Sequence, residues 1–473
     1  MIVLDRINGL SDSKWSGIKN SVAACVGLDL HSTPGLIKVH QKLTKNSGAT
    51  VDAFCRVAVS ASNGYTFWFS YTTGKIFARS SAGTWTLAYT TSAGAGASGC
   101  LGAIEYNGFI YWATQSRLHR IAIANADDSW ASVSLDWATL TVTDSGFHPM
   151  AIQNATLFIG DGYQVSSVNS SGTFTATALD IKTPHRIKDL IAYELDLLIG
   201  TLVATTVNKA EVLRWDTVSP SWTSSDPIEE VGINSFIRDD NYVYAQAGRA
   251  GNLYFYDGEQ LQPFKRIPGS FSNVKYGEVY PGSVGNFKGI PIFGFSNSPE
   301  SGNSTGNPAD QGVYSFGSYS RDYPKVMDLS FVISEAVVAG IEIGAILVVD
   351  FDVFVAWKNG SSFGVDKIDY TAKYASAYFE TMMLFQDKRD LVNTLTKVYS
   401  LYETLPSGTS LTFSYKINHG SYVAMTSVTD SNNNEVYAEL SVPNSGALQL
   451  KVAFGVSSND APTLDAPLGV DLQ

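Results

Sequence analysis

Between residues 229 and 267, short apolar runs alternate with polar breaks placed where a tight turn would fit. Val231 to Ile237 meets Asp239-Asp240-Asn241, and Tyr242 to Ala247 stops at Gly248. The aromatic-rich run Asn252 to Tyr256 stops at Asp257-Gly258, and a fourth run passes through Leu261, Phe264 and Ile267. Runs this short, rich in β-branched and aromatic side chains, predict strands. Asp-Gly between two of them predicts a hairpin with a type I′ turn, whose two central residues both need positive φ. A four-stranded sheet of this kind has two faces to bury and needs neighbours like itself.

The same unit recurs from residue 57 onward. An apolar strand, a polar turn and a further strand with an aromatic run from Lys75 to Trp85, Leu118 to Trp130, Val165 to Phe174 and Val212 to Trp222. The series continues through the 229–267 stretch to Phe264 and then from Val313 to Tyr323. The closing aromatics are 45, 44, 48, 42 and 59 residues apart. A period in the forties with four strands per period predicts a β-propeller in preference to an array of sandwiches. A seventh unit spans Ile341 to Tyr370, with an Asn359-Gly360 turn, but its last strand is not evident. The long sixth interval holds an insertion, Asn297 to Gln311, with the composition of an exposed loop.

After Tyr370 the repeat gives way to strict alternation. Leu411, Phe413, Tyr415 and Ile417 form one apolar row, and Leu448, Leu450, Val452 and Phe454 another. These are antiparallel strands with one face buried. The expected fold is therefore all-β: an about seven-bladed β-propeller over 57–374 and an antiparallel β-sandwich over 375–473. Residues 1–56 are expected to be an N-terminal arm and lead-in to the propeller. Within it, the stretch Val26 to Ser47 has a Pro34-Gly35 turn and then Lys38, Lys42 and Lys45. It reads as a segment that packs on the first domain or closes it, in preference to a docking arm.

Composition adds exclusions. Only 16% of residues are charged, against roughly 25% in an ordinary soluble domain. The formal charge is −12 and no basic face is evident, which argues against direct nucleic-acid binding. Cys25, Cys55 and Cys100 are odd in number and lack metal spacing, so they read as buried reduced thiols. The first residues carry charges where a secretory leader would be apolar, which predicts synthesis in the cytosol. The apolar run Ala336 to Val349 is broken by Glu342 and too short for a membrane helix; buried strands and no membrane contact are expected.

Candidate chemistry resolves into turns. Ser80 to Trp85 and Asn169 to Phe174 echo the Asp-box turn of sialidase propellers but lack its Asp. Asp430 to Glu435 begins like a calcium loop, yet Glu435 stands where Gly is required and Ser441 where the terminal Glu belongs. Trp215-Asp216 resembles a WD dipeptide without its partner motif, and the six histidines show no ligand spacing. Asp350 and Asp352 could pair for acid–base work but read better as a strand-end turn. No catalytic residue, cofactor or metal is expected. The one local candidate for contact is the insertion, with Asn297, Glu300, Asn303, Asn307 and Asp310.

The layout resembles that of virion structural proteins of tailed bacteriophages, of the nozzle or minor tail protein type. The resemblance rests on Gly27-Leu28-Asp29-Leu30 before Pro34-Gly35 and the lysines, and on the repeats. It continues with Gly364 to Asp369 leading into Tyr378-Phe379-Glu380-Thr381, and with Lys397-Val398-Tyr399 before Leu405 to Thr409. It implies a non-enzymatic component of the tail or head-to-tail region, assembled in the host cytoplasm. Its partners would be further copies of itself in a ring and other virion proteins such as tail, portal or adaptor. The alternative is a carbohydrate-binding or carbohydrate-cleaving propeller used in attachment to a host-surface glycan, suggested by the abundance of aromatic residues.

Overall fold

The structure is a computed structural model. It describes residues 2–4, 7–11, 20–33, 35–91, 99–142, 146–203, 207–239, 242–267, 277–297, 312–318, 325–335, 341–384, 393–418, 420–429, 435–444 and 447–472. Several predicted features lie outside these residues. They are Pro34, the turn residues Asp240 and Asn241, the insertion from 298 to 311, Tyr323, the calcium-like residues 430–434 and His419.

The chain is all-β and propeller-like. Successive four-stranded antiparallel meanders occupy 55–90, 102–139, 150–180, 186–228 and 233–266. A sixth meander runs through Val284–Phe287, Ile290–Asn297, Gly312–Gly317 and Val326–Phe331. In the seventh, Ile341–Val349, Asp352–Asn359 and Ser362–Lys373 are completed by Gln41–Lys45 from far upstream, with Leu43 opposite Ile368. The first strands of neighbouring meanders lie side by side, and Ile341–Val349 returns to lie against Cys55–Ser60.

Packing between meanders explains the apolar runs. In Thr66–Ser70 every residue is buried. Phe67 and Phe69 enter the core shared with Trp112 and Trp130, while Trp68 points the other way, into the core with Phe77 and Phe354. A strand sandwiched on both faces has no polar side to present, so its sequence does not alternate. Near the centre the sheets touch backbone to backbone. A Cβ on Gly102 would stand 1.8 Å from the His148 carbonyl oxygen, and one on Gly344 would stand 2.1 Å from that of Cys55. Only hydrogen fits there.

The strands beyond residue 374 belong to two sheets. One orders Leu28–Asp29, Leu36–Val39, Leu464–Leu472, Asn393–Tyr402 and Glu435–Asn444, with Ile2–Leu4 also on Leu464–Leu472. The other continues from Val326–Phe331 of the sixth meander through Val22–Val26, Ala377–Thr381, Leu448–Gly455 and Ser410–Ile417 to Val423–Val428. Their shared core holds Leu411, Phe413, Leu450, Val452, Phe454, Leu395 and Val398. Of the alternating rows read from the sequence, Leu411, Phe413, Leu448, Leu450, Val452 and Phe454 lie in this core, Tyr415 packs against it, and Ile417 is only partly buried.

Three expectations need correction. Residues 22–39 do not form an arm: their strands pair with strands of the 377–472 region and with Val326–Phe331. Their backbone groups find partners only by joining sheets whose other strands lie far away in sequence. The Asp257-Gly258 hairpin is not a two-residue turn, because Tyr256 pairs with Leu261 and leaves a four-residue loop. The Asp257 carboxylate accepts the Glu259 and Gln260 amides at 2.9 and 2.7 Å, so the side chain shapes the loop. The repeating aromatic is also not one structural position. Trp85 and Phe174 begin outer strands, whereas Trp130 precedes one and is buried between the first and second meanders.

Candidate functional site

Charged and polar side chains from the starts of several first strands gather around one cavity. Arg56 belongs to Cys55–Ser60, Lys188 and Asp189 to Arg186–Tyr193, Asn234 to Ile233–Asp239 and Glu342 to Ile341–Val349. The Arg56 guanidinium lies 3.8 Å from the Tyr71 ring centroid and 4.0 Å from that of Tyr280. It donates to Glu342 Oε2 at 3.2 Å, and Tyr280 Oη donates to the same oxygen at 3.0 Å. Lys358 Nζ donates to Glu342 Oε1 at 2.6 Å. Burial would raise the Glu342 carboxyl, but the Lys358 hydrogen bond and the Arg56 charge outweigh it and hold it below its ordinary range. Lys188 Nζ reaches Asn234 Oδ1 at 2.6 Å and Glu278 Oε2 at 3.1 Å.

Asp189 is a clasp between the fourth and fifth meanders. One carboxylate oxygen accepts the Leu190 amide at 2.9 Å and the other accepts the Phe236 amide at 2.7 Å. Burial nevertheless pushes its carboxyl up to about 7. Arg56, Tyr71, Phe147, Asp189, Phe236 and Ile346 line a cavity of about 330 Å³. Arg56 in its lining is matched by Glu342, and nearby Lys188 by Glu278, so the cluster is charge-compensated and the cavity beside it has room for a small ligand.

A second buried polar cluster sits where the sheet passes from the sixth meander towards the C-terminal strands. His31 Nε2 lies 3.1 Å from Asp328 Oδ2 and 2.7 Å from Ser315 Oγ. Ser315 Oγ donates to Asp328 Oδ1 at 2.6 Å, and Ser330 Oγ donates to the same oxygen. His31 is 4% exposed and Asp328 0%. Burial opposes charge on both, yet each holds the other ionised: Asp328 raises the His31 pKa, and His31 keeps Asp328 below the usual carboxylate range. The residue types match a nucleophilic triad but the arrangement does not. The same ring nitrogen meets both hydroxyl and carboxylate, where a triad needs the carboxylate on the opposite nitrogen. Burial also keeps a substrate from the hydroxyl. The cluster is an ionic joint.

The sites considered from sequence fall apart spatially. Of the candidate loop, Glu300, Asn303, Asn307 and Asp310 lie outside the described residues, and Asn297 ends the strand Ile290–Asn297. Asp350 occupies a turn at φ 54°, while Asp352 pairs with Lys367 at 2.7 Å. Asp216 accepts the Val218 and Ser219 amides, so Trp215-Asp216 is a turn. Asn169 does the same for Ser171 and Thr173. All three cysteines are buried free thiols. No group of His, Cys, Asp or Glu among the described residues could hold a metal ion, and no helix of the described residues is long and apolar enough to cross a membrane. The residues around the Arg56 cavity were missed, although one signal existed: Glu342 interrupts an otherwise apolar run.

No known protein family matches the sequence. No curated protein matches it either. Solved structures of similar shape include the extracellular domain of a B. thetaiotaomicron protein described as a one-component system, at 12% identity and TM-score 0.45, over 85% of this chain and 48% of that one. The chain thus spans about half the length of that structure. Others are a streptogramin B lyase, at 10% identity and TM-score 0.46 over 70% of this chain and 98% of that one, and the virginiamycin B lyase of Staphylococcus aureus, at 10% identity and TM-score 0.46 over 69% and 98%.

Proposed function

We propose that the chain is a non-enzymatic structural component of a tailed-phage virion, placed in the tail or head-to-tail region. In this reading it is a seven-bladed propeller over 57–374, closed by residues 41–45. A β-sandwich over 375–473 is completed by the N-terminal strands. It oligomerises into a ring and contacts tail, portal or adaptor proteins, and assembly takes place in the host cytoplasm. The observation that supports this best is the sheet shared between the sixth meander and the C-terminal strands. Val26 pairs with Leu329 on one side and with Tyr378 on the other. Two bodies stitched through one hydrogen-bonded sheet move as a unit, whereas bodies on a flexible linker do not. Rigid subunits of that kind suit a ring built from repeated heterologous contacts.

The test is electron microscopy of particles from the source, with antibody labelling of this chain, alongside light scattering of the purified protein. Label at the tail or neck, with closed rings in solution or on particles, is the expected outcome. Unlabelled particles together with a monomer at every concentration would remove the proposal.

A further inference from the structure

The exposed large aromatic residues among the described ones are Tyr242, Phe264, Phe351 and Tyr370. Tyr242 and Phe264 belong to one cluster on the fifth meander, where they are 46% and 43% exposed. Tyr242 and Tyr244 share a face of their strand, and Phe255 sits opposite Tyr244. Phe264 is the extra residue of a β-bulge: Leu253 pairs with Lys265 and Tyr254 with Pro263, which leaves Phe264 without a cross-strand partner. Bulges re-aim side chains. In the first meander the corresponding extra residue is Ala88, and it is buried. In the fifth the bulge turns a large ring outward.

Phe264 rests on buried rings and Tyr242 on a partly buried one. Tyr242 meets Phe255 at 5.3 Å between centroids, and Phe264 meets Tyr244 at 5.5 Å and Phe316 at 5.3 Å. Beside them Lys325 Nζ pairs with Asp239, donates to Tyr244 Oη at 2.7 Å and stands 5.0 Å from the Tyr242 centroid. Rings held from below in fixed orientations form a preorganised platform.

We infer that Tyr242 and Phe264, with Lys325 and Asp239 at their edge, form a binding site for a neutral hexopyranose unit of a glycan. A pyranose ring carries a face of C–H groups that packs flat on an aromatic ring, and hydroxyls around its edge that need donors and acceptors. The aromatic pair supplies the first requirement and the ammonium–carboxylate pair the second. A stacked nucleic-acid base would need a basic groove, but Lys325 is neutralised by Asp239 and the chain carries −12. Two half-exposed rings are also far smaller than the surface a stable protein partner buries. This site stands on the aromatic cluster and does not rest on the virion reading.

The test uses the full chain with methyl β-D-galactopyranoside and methyl α-D-glucopyranoside in saturation-transfer NMR, together with a glycan array. Transfer to the C–H protons of one pyranose face is expected from at least one probe. Tyr242→Ala and Phe264→Ala should each weaken binding about tenfold. Tyr242→Phe should retain it, and Phe351→Ala should leave it unchanged. Thermal melts of all variants identify any that misfold, and Phe264→Leu replaces Phe264→Ala if that one does. Silence from both glycosides and the array overturns the site. So does binding that survives in the folded Tyr242→Ala variant, or an oligothymidylate that binds through the same two rings.

Discussion

The ionic joint between the sixth meander and the C-terminal strands makes the sharpest energetic prediction. His31→Ala removes the cation from a buried pair and leaves the charge of Asp328, 0% exposed, to the Ser315 and Ser330 hydroxyls and the nearby His40. Stranding one partner of a buried ion pair costs about 3–5 kcal/mol. Asp328→Asn should cost less than His31→Ala, because the amide carries no charge to strand. The double variant should fall short of the sum of the singles, which a double-mutant cycle measures. The pH dependence has a definite sign. The folded-state pKa of His31 is raised, so its contribution is complete below its ordinary value and fades as pH rises through the raised one. That of Asp328 is lowered, so its contribution holds above its ordinary value and goes only as pH falls through the depressed one. The gap between wild type and His31→Ala should thus be widest in mildly acidic buffer and narrow in alkaline buffer. Asp29, His40, Lys373 and Cys25 also face these groups and remain in both proteins.

Urea denaturation followed by two probes is the assay. Eight of the nine tryptophans lie between Trp68 and Trp357, within the meanders, so fluorescence reports mainly on them, while far-UV circular dichroism sees the whole chain. The wild type should give coincident transitions. In His31→Ala both midpoints should drop and the two curves should separate, as the C-terminal strands come loose from the sixth meander. A loss below about 1 kcal/mol, within the range of an exposed pair, and unchanged between pH 5.5 and 9, would refute the ionic joint.

Three further outcomes follow from the packing. Gly102→Ala forces a Cβ against the His148 carbonyl oxygen and should destabilise by about 1–3 kcal/mol, read as a lower thermal midpoint. Asp189 has a folded-state pKa raised to about 7, so it favours the native state less as pH rises from its ordinary value through 7. Asp189→Asn should remove that slope from urea midpoints taken at pH 5 and 8, and Asp189→Ala should lose about 1–3 kcal/mol by stranding the Phe236 amide. The cysteines should resist a thiol reagent in the native protein and react after denaturation; burial pushes the Cys100 thiol up to about 12 and suppresses its thiolate.

What the sequence by itself determined was local. Strand runs, turns and the period of the repeat are set by neighbours in the chain, and the fifth meander shows it: the predicted runs Tyr242 to Ala247 and Asn252 to Tyr256 are its second and third strands. The alternating rows after Tyr370 are likewise legible, because a sheet with one buried face leaves its period in the chain. What only the tertiary structure decided was pairing over long separations. Nothing in QKLTK marks it as the outer strand of the seventh meander, since Leu43 is its only residue buried there and the rest would suit any edge. The functional candidates are hidden for the same reason. Arg56 and Glu342 meet only when the last meander closes on the first, and His31 meets Asp328 only across the joint. Nothing in the sequence sets Tyr242 and Phe264 apart from the other aromatic residues of the repeat. A bulge and an adjacent meander decide that their rings face water, and both are properties of the assembled sheets.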